Sequence, residues 1–264
     1  MVIKRKVSKK SSKSLESDGS DKKKVKSWGK VERIPSGVKN YDKLIGGGYE
    51  KNSTNLLVGG SGSGKSIFST QFLVEGMKKG ENTLYVTFEE HKEQFYSNMK
   101  SFGWDLEGYE KKGLLTFLEY SPIKVRTMLE EGGGAIERVI LGKKVTRIVM
   151  DSITSFALLF KDELSKREAA LSLFSMIRDW DATALLTLEE EPSLGITRDS
   201  PKTLEFEVDS MTFIYLVMNE GKRERFLEVL KMRGIKHSNR IYTFSIGSNG
   251  IVVGVNPVSH FLEK

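Results

Sequence analysis

Glycine, lysine and serine fall at the spacing that grips a phosphate in Gly59-Gly60-Ser61-Gly62-Ser63-Gly64-Lys65-Ser66. The glycines let the backbone curl until successive N–H groups face inward on an anion, and a helix starting at the end of the loop adds its partial positive charge. Lys65 is placed to reach the β- and γ-phosphates of a nucleotide, and the Ser66 hydroxyl to join the shell of a Mg²⁺ ion. At a loop tip, Lys65 is expected to be an exposed cation. Such a loop works only between a strand and a helix. Thr54–Val58 is an apolar run that reads as a buried strand, and Ile67–Met77 reads as a helix closed by Lys78, Lys79 and Gly80.

Three further groups could complete the chemistry. Asp151 ends the strand-like run Val145–Asp151, and a carboxylate at the C-terminal edge of a strand beside a phosphate loop lies near the metal. The competing reading makes Asp151-Ser152 an ordinary helix cap. Glu89-Glu90 follows the run Thr83–Phe88 directly, where a carboxylate can serve as base or orient water for phosphoryl transfer; the plainer reading is two solvated acids. Lys231-Met232-Arg233-Gly234 sits at the end of a strand, with His237 four positions past Arg233. Alternate residues of an extended segment share a face, so Lys231 and Arg233 point one way and suit a γ-phosphate. The commoner meaning of such a pair is a solvated edge.

The elements around these residues alternate. A helix over Glu93–Phe102 is stopped by Gly103, Leu114–Leu118 is strand-like, and Val125–Leu141 reads as a helix interrupted by Gly132-Gly133-Gly134. An amphipathic helix follows over Ser165–Trp180, then a buried strand over Ala182–Leu188. From Ser210 onward the short strands Met211–Val217, Phe226–Met232, Ile241–Ile246 and Ile251–Val253 read as an antiparallel meander. The fold expected is α/β: a mainly parallel sheet flanked by helices, extended by a C-terminal β-meander.

Composition narrows the function classes. The chain has 264 residues and no cysteine, which excludes disulfides, cysteine nucleophiles and thiolate zinc sites. Its three histidines, His91, His237 and His260, are not spaced as a metal pair. No run approaches the ~20 apolar residues of a membrane span, and the N-terminus lacks a secretory apolar segment, so a cytoplasmic location is expected. The net charge of +7 is uneven. Residues 1–30 carry eleven basic side chains against Glu16, Asp18 and Asp21, a net +8, which leaves −1 for the other 234 residues. Residues 1–29 are Lys/Ser-rich and read as a disordered polybasic tail, either a contact for nucleic-acid phosphate or a merely solubilising extension.

The motifs together resemble a known family. Arg33-Ile34-Pro35-Ser36-Gly37, then Tyr41-Asp42-Lys43-Leu44-Ile45-Gly46-Gly47-Gly48, look like the opening of a KaiC-like domain of the RecA superfamily. The phosphate loop, Val86-Thr87-Phe88-Glu89-Glu90, Ser101-Phe102-Gly103-Trp104-Asp105-Leu106 and Met150-Asp151-Ser152-Ile153-Thr154 follow in the family's order. Leu186-Thr187-Leu188-Glu189 and Leu230–His237 complete the set. The resemblance implies a RecA-like P-loop ATPase over residues 30–255, with a short tail at 256–264. It implies Mg·ATP bound between the subunits of a ring, usually a hexamer. It assigns nucleotide contacts to Gly59 through Ser66 and Ile67 and, from a neighbouring subunit, to Lys231, Met232, Arg233 and His237. Glu89 and Glu90 match the catalytic acidic pair, assisted by Lys65, Lys231 and Arg233; Ser66 and Asp151 match the metal side. The clock protein of this family has two such domains and an autophosphorylated Ser-Thr pair, whereas Leu204-Glu205-Phe206-Glu207-Val208 carries no hydroxyl there. The match is nearer to the single-domain KaiC-like ATPases of archaea. The expectation is an ATP/ADP-dependent switch or motor acting with a protein partner, or alternatively a nucleic-acid-binding RecA-type module using the tail.

Overall fold

In a computed structural model, residues 31–121, 134–157, 162–191, 207–219 and 221–259 are described, with the single positions 124, 127 and 160 besides. The chain divides into two units, 1–30 and 31–264. The expected polybasic tail lies outside the described residues, as do most of the expected helix before Gly134, Leu204–Phe206 and His260.

The run ahead of the phosphate loop forms β3 (Thr54–Gly59), buried at all six positions. A strand buried on both faces needs parallel neighbours and helices above and below. β3 has both: it pairs in parallel with β7 (Thr183–Glu189) on one side and β8 (Ser210–Asn219) on the other. Beyond β7 come β6 (Arg147–Asp151), β4 (Thr83–Thr87) and β5 (Leu115–Glu119), all parallel. Beyond β8 the sheet turns antiparallel through β9 (Lys222–Met232), β10 (Tyr242–Gly247) and β11 (Gly250–Pro257). The nine-stranded order is therefore β11-β10-β9-β8-β3-β7-β6-β4-β5, with β1 (Arg33–Ile34) and β2 (Tyr49–Glu50) forming a separate small ribbon. The last strand runs to Pro257, past the expected domain edge at 255.

Among the described residues the helices are α1 (Tyr41–Leu44), α2 (Lys65–Lys78), α3 (Lys92–Lys100), α4 (Leu106–Lys111), α5 (Gly134–Lys143), α6 (Ile153–Ala157) and α7 (Glu163–Asp179). α2, α3 and α4 pack Phe68, Phe72, Phe95 and Leu106 against one face of the sheet, and α5 and α7 pack Ile136, Ile140, Leu173 and Phe174 against the other. The alternation along each strand sorts side chains between these two cores. α7 starts where Asp162 accepts a hydrogen bond from the Ser165 N–H, a side-chain cap.

Arg147, at the start of β6, is wholly buried. Its guanidinium pairs with Glu81 at 2.6 and 2.9 Å, donates to the carbonyls of Pro35 and Phe72, and lies over the Phe72 ring. Four of the five N–H groups of the planar fork are used, so the charge is buried with its partners. It fastens the opening segment and α2 to the sheet. Gly76 makes room for it, because a Cβ there would lie 2.5 Å from Arg147 Nε.

A bulge interrupts the β8–β9 ladder. Thr212 pairs with Val229 but Met211 pairs with Lys231, leaving Leu230 as the extra residue. Upstream of it, Leu227 and Val229 face the core of α2, while Phe226 faces the opposite core. The extra residue turns Lys231 to the side of Met211, away from the face of Val229.

Candidate functional site

β3, β7, β6 and β4 run in parallel side by side, so their C-terminal ends share one edge of the sheet. Ligands in open α/β sheets bind at that edge. The four ends deliver, in order, the phosphate loop, Glu189, Asp151 and Glu89-Glu90. All of these groups line one cleft of about 660 Å³, together with Lys65, Ser66 and Arg225. The sequence motifs, spread over some half of the chain, are brought together by strand order alone.

The loop itself is rigidly fitted. Gly64 ends it with φ 111°, a backbone conformation suited to glycine, and α2 begins at the next residue. A Cβ on Gly59 would fall 2.6 Å from the Ile214 carbonyl oxygen of β8. The Ser63 hydroxyl donates to the Gly60 carbonyl at 2.7 Å. Lys65 differs from expectation: only 8% of it is exposed, and its ammonium donates to the Gly59 and Gly60 carbonyls at 2.8 and 2.9 Å. The side chain folds back along the loop instead of projecting from it, because the loop's own carbonyls are its nearest acceptors. Burial lowers its proton affinity, opposed by the charges of Glu189, Asp151 and Glu89. The carboxylates thus work against the loss of the ammonium proton that burial favours.

The acidic pair is built by a turn. The Thr87 hydroxyl at the end of β4 accepts from the N–H groups of both Glu89 and Glu90, at 3.3 and 3.1 Å. The two side chains then differ. Glu89 accepts hydrogen bonds from Ser152, at 3.3 Å, and from Ser155 of α6. Glu90 is pushed above the usual carboxylate range by burial and by the charges of Asp151 and Glu89, which gives it the character of a base. Asp151 is held on both oxygens, Oδ2 by the Tyr85 phenol at 2.7 Å and Oδ1 by the Thr187 hydroxyl. It ends β6 inside the cleft.

Lys231, Met232, Arg233 and His237 are not brought to this cleft within the chain. Ser210 pairs with both Asn55 and Met232, whereas the loop end of β3 pairs with Ile214. Met232 therefore lies four residues, about 13 Å, below Gly59 and two strands, about 10 Å, to the side. Met232 is the last residue of β9. Arg233 lies in the following turn, where its N–H donates to the Asp209 carbonyl and its guanidinium pairs with the Asp209 carboxylate at 3.2 Å. Ile235 and Ser238 pack this turn against Gly46 and Leu44 of the opening segment.

Sequence reasoning missed several lining groups. Arg225 donates to the Gly62 carbonyl at 3.5 Å from the part of the β8–β9 hairpin that projects beyond β3. Only the strand register reveals this, since Arg225 stands far from any phosphate-binding motif. Ser97 and Asn98 of α3, Ser101 and Phe102 just past its end, and Ile246 of β10, which lies beside Gly64, also line the cleft. Phe102 belongs to a motif already noted, but its spacing carried no role.

A phosphate-gripping loop at the head of a helix, with carboxylates from the neighbouring parallel strands facing it, defines a P-loop nucleotide-binding protein of RecA-like build. The family model described as "ATPase: KaiC" matches residues 34–258, and the chain belongs to that family of P-loop ATPases. It is 34% identical over 232 residues to the circadian clock protein KaiC3 of Synechocystis, covering 84% of this chain but 46% of that one. It is 32% identical over 234 residues to a UPF0273 protein of Pyrococcus horikoshii, covering 84% of this chain and 93% of that one. The chain thus spans about half of the clock protein and nearly all of the archaeal relative. A crystal structure of a KaiC-like protein from Pyrococcus horikoshii superposes with a TM-score of 0.75 at 35% identity, covering 85% of this chain and 100% of that one.

Proposed function

We propose that the protein binds Mg·ATP in this cleft and hydrolyses it to ADP and phosphate, as the ring-forming switch or motor of a cytoplasmic assembly with a protein partner. The observation that carries the reading is that four parallel strand ends deliver a phosphate loop, Asp151 and the Glu89-Glu90 pair to one cleft. The donor set fits magnesium. Ser66 and Asp151 offer hard oxygens, and the described residues contain no three-ligand His/Cys/Asp/Glu cluster that would hold an ion by itself. Magnesium sites of one or two protein oxygens are completed by substrate phosphates. Bound there, the ion would neutralise charge on the phosphates.

The chain's own groups then divide the work. The N–H groups of residues 59–66 and the head of α2 bind phosphate, and Lys65 exchanges its carbonyl partners for phosphate oxygen. Glu90 accepts the proton of the attacking water, while Ser152 and Ser155 hold Glu89 beside it. Arg225 lies where it reaches a phosphate of its own subunit's nucleotide. Lys231 and Arg233, at the opposite end of the sheet, act on a neighbour's nucleotide, with Met232 and His237 in the same contact. Calorimetric titration with Mg·ATP and assay of released phosphate test the proposal together. Wild type should bind and turn over, and Lys65→Ala should do neither; ATP affinity retained in Lys65→Ala overturns it.

The basic tail carries a second reading, polynucleotide binding through residues 1–29, set against the net −1 of residues 31–264, which lack the broad basic footprint of such modules. Deleting those residues should then abolish a strongly salt-dependent affinity for nucleic acid. No loss on deletion overturns that reading without touching the first.

A further inference from the structure

Two candidate metal-side groups, Ser66 on α2 and Asp151 on β6, come from elements that are not sequence neighbours. One side chain stands between them. Tyr85, at the middle of β4, is 2% exposed, and its ring lies flat on Phe117 at 5.3 Å and against Phe95 at 4.6 Å. Its hydroxyl donates to Asp151 Oδ2 at 2.7 Å, and the Ser69 hydroxyl of α2 interacts with the same phenol. The carbonyl of Ser66, at 3.1 Å, is a second acceptor within reach of the Ser69 hydroxyl, whose one proton serves one or the other. From the other side, Thr187 of β7 donates to Asp151 Oδ1.

We propose that Tyr85 is a positioning residue for the metal-side carboxylate, fixing Asp151 in rotation and in its distance from the head of α2. The role rests on the reading of Asp151 and Ser66 as the metal side. A carboxylate has two soft torsions, and a charge-assisted hydrogen bond on each oxygen removes that freedom before the metal arrives. Phenylalanine would fill the same apolar slot between Phe95 and Phe117, so packing explains the ring but not the hydroxyl. The hydroxyl is where the chemistry lies.

The test is Tyr85→Phe, which keeps the ring, read by Mn²⁺ titration of the binding of a fluorescent non-hydrolysable ATP analogue. Loss of one charge-assisted bond should raise the half-saturating Mn²⁺ concentration roughly tenfold, with analogue binding in EDTA unchanged. Phe117→Leu, which loosens the stack and keeps the hydroxyl, should leave the Mn²⁺ requirement within about twofold. In an Asp151→Asn background, Tyr85→Phe should have no further effect, since coupled groups are not additive. A Tyr85→Phe protein with the wild-type Mn²⁺ requirement overturns the positioning role alone. Wild-type analogue binding that ignores Mn²⁺ overturns the metal reading of Asp151, and the positioning role with it.

Discussion

Replacing Arg233 by Ala separates a shared catalytic site from an ordinary surface charge, and the geometry sets the size of each outcome. The end of β9 lies about 13 Å below and about 10 Å beside the loop, a separation of about 16 Å. In water, two unit charges at that distance interact by about 0.26 kcal/mol, and a Debye length of about 8 Å reduces this to a few hundredths. Within its own subunit, Arg233 therefore changes the rate by only a few per cent. Set against a neighbour's γ-phosphate, it acts as an arginine finger, an effect of about 10³-fold or more in turnover. These outcomes do not overlap. The assay is phosphate release at protein concentrations spanning assembly, followed by mixing of two inactive variants. Arg233→Ala retains an intact loop and Lys65→Ala an intact finger, so mixed assemblies regain activity at interfaces that pair the good halves. Full turnover by Arg233→Ala alone, or concentration-independent activity of a monomer, would refute the shared site.

Three more outcomes follow from the structure. Changing Glu89 and Glu90 together to Gln should keep Mg·ATP affinity and slow hydrolysis by roughly 10²-fold or more, measured in single-turnover experiments. Arg147→Ala strands Glu81 and two backbone carbonyls; it should cost about 3–5 kcal/mol, read as a lowered urea midpoint at unchanged m-value. Hydrogen bonding to Arg147 lowers the proton affinity of Glu81, so its contribution to stability is present above the ordinary carboxylate value of 4.5 and disappears as pH falls through the lower folded value. The stability gap between wild type and Glu81→Gln should accordingly narrow in acid, and a pH-independent gap would disprove the linkage.

The phosphate loop, its flanking strand and helix, and the carboxylates at strand ends were legible because each is encoded within a few neighbouring residues. A strand of β-formers followed by Glu89-Glu90 states its own geometry, as does Asp151 at the end of a buried run. Arg225 was illegible for the opposite reason. Its place depends on how far the β8–β9 hairpin projects past β3, a matter of pairing register between distant segments. Lys65 was misread as exposed because a sequence does not show that the carbonyls of Gly59 and Gly60 lie within reach of its ammonium. The bulge at Leu230, which sets the face to which Lys231 turns, was illegible too, because an extra residue in one strand of a pair leaves no mark in hydrophobic pattern.

That bulge divides β9 between the two faces of the sheet. Arg225 is directed to one face of the sheet, at the loop end, and Lys231 to the other face, at the far end. Six residues with strict alternation would put both cations on the same face; the single extra residue separates them. Deleting Leu230 would remove the bulge and leave Lys231 opposite Met211, whereas taking Leu230 into a regular ladder would turn Lys231 to the side of Val229. The bulge thus works as a switch in the strand's facing: the loop-end cation is addressed by the regular ladder, and the far cation by the one residue the ladder leaves out.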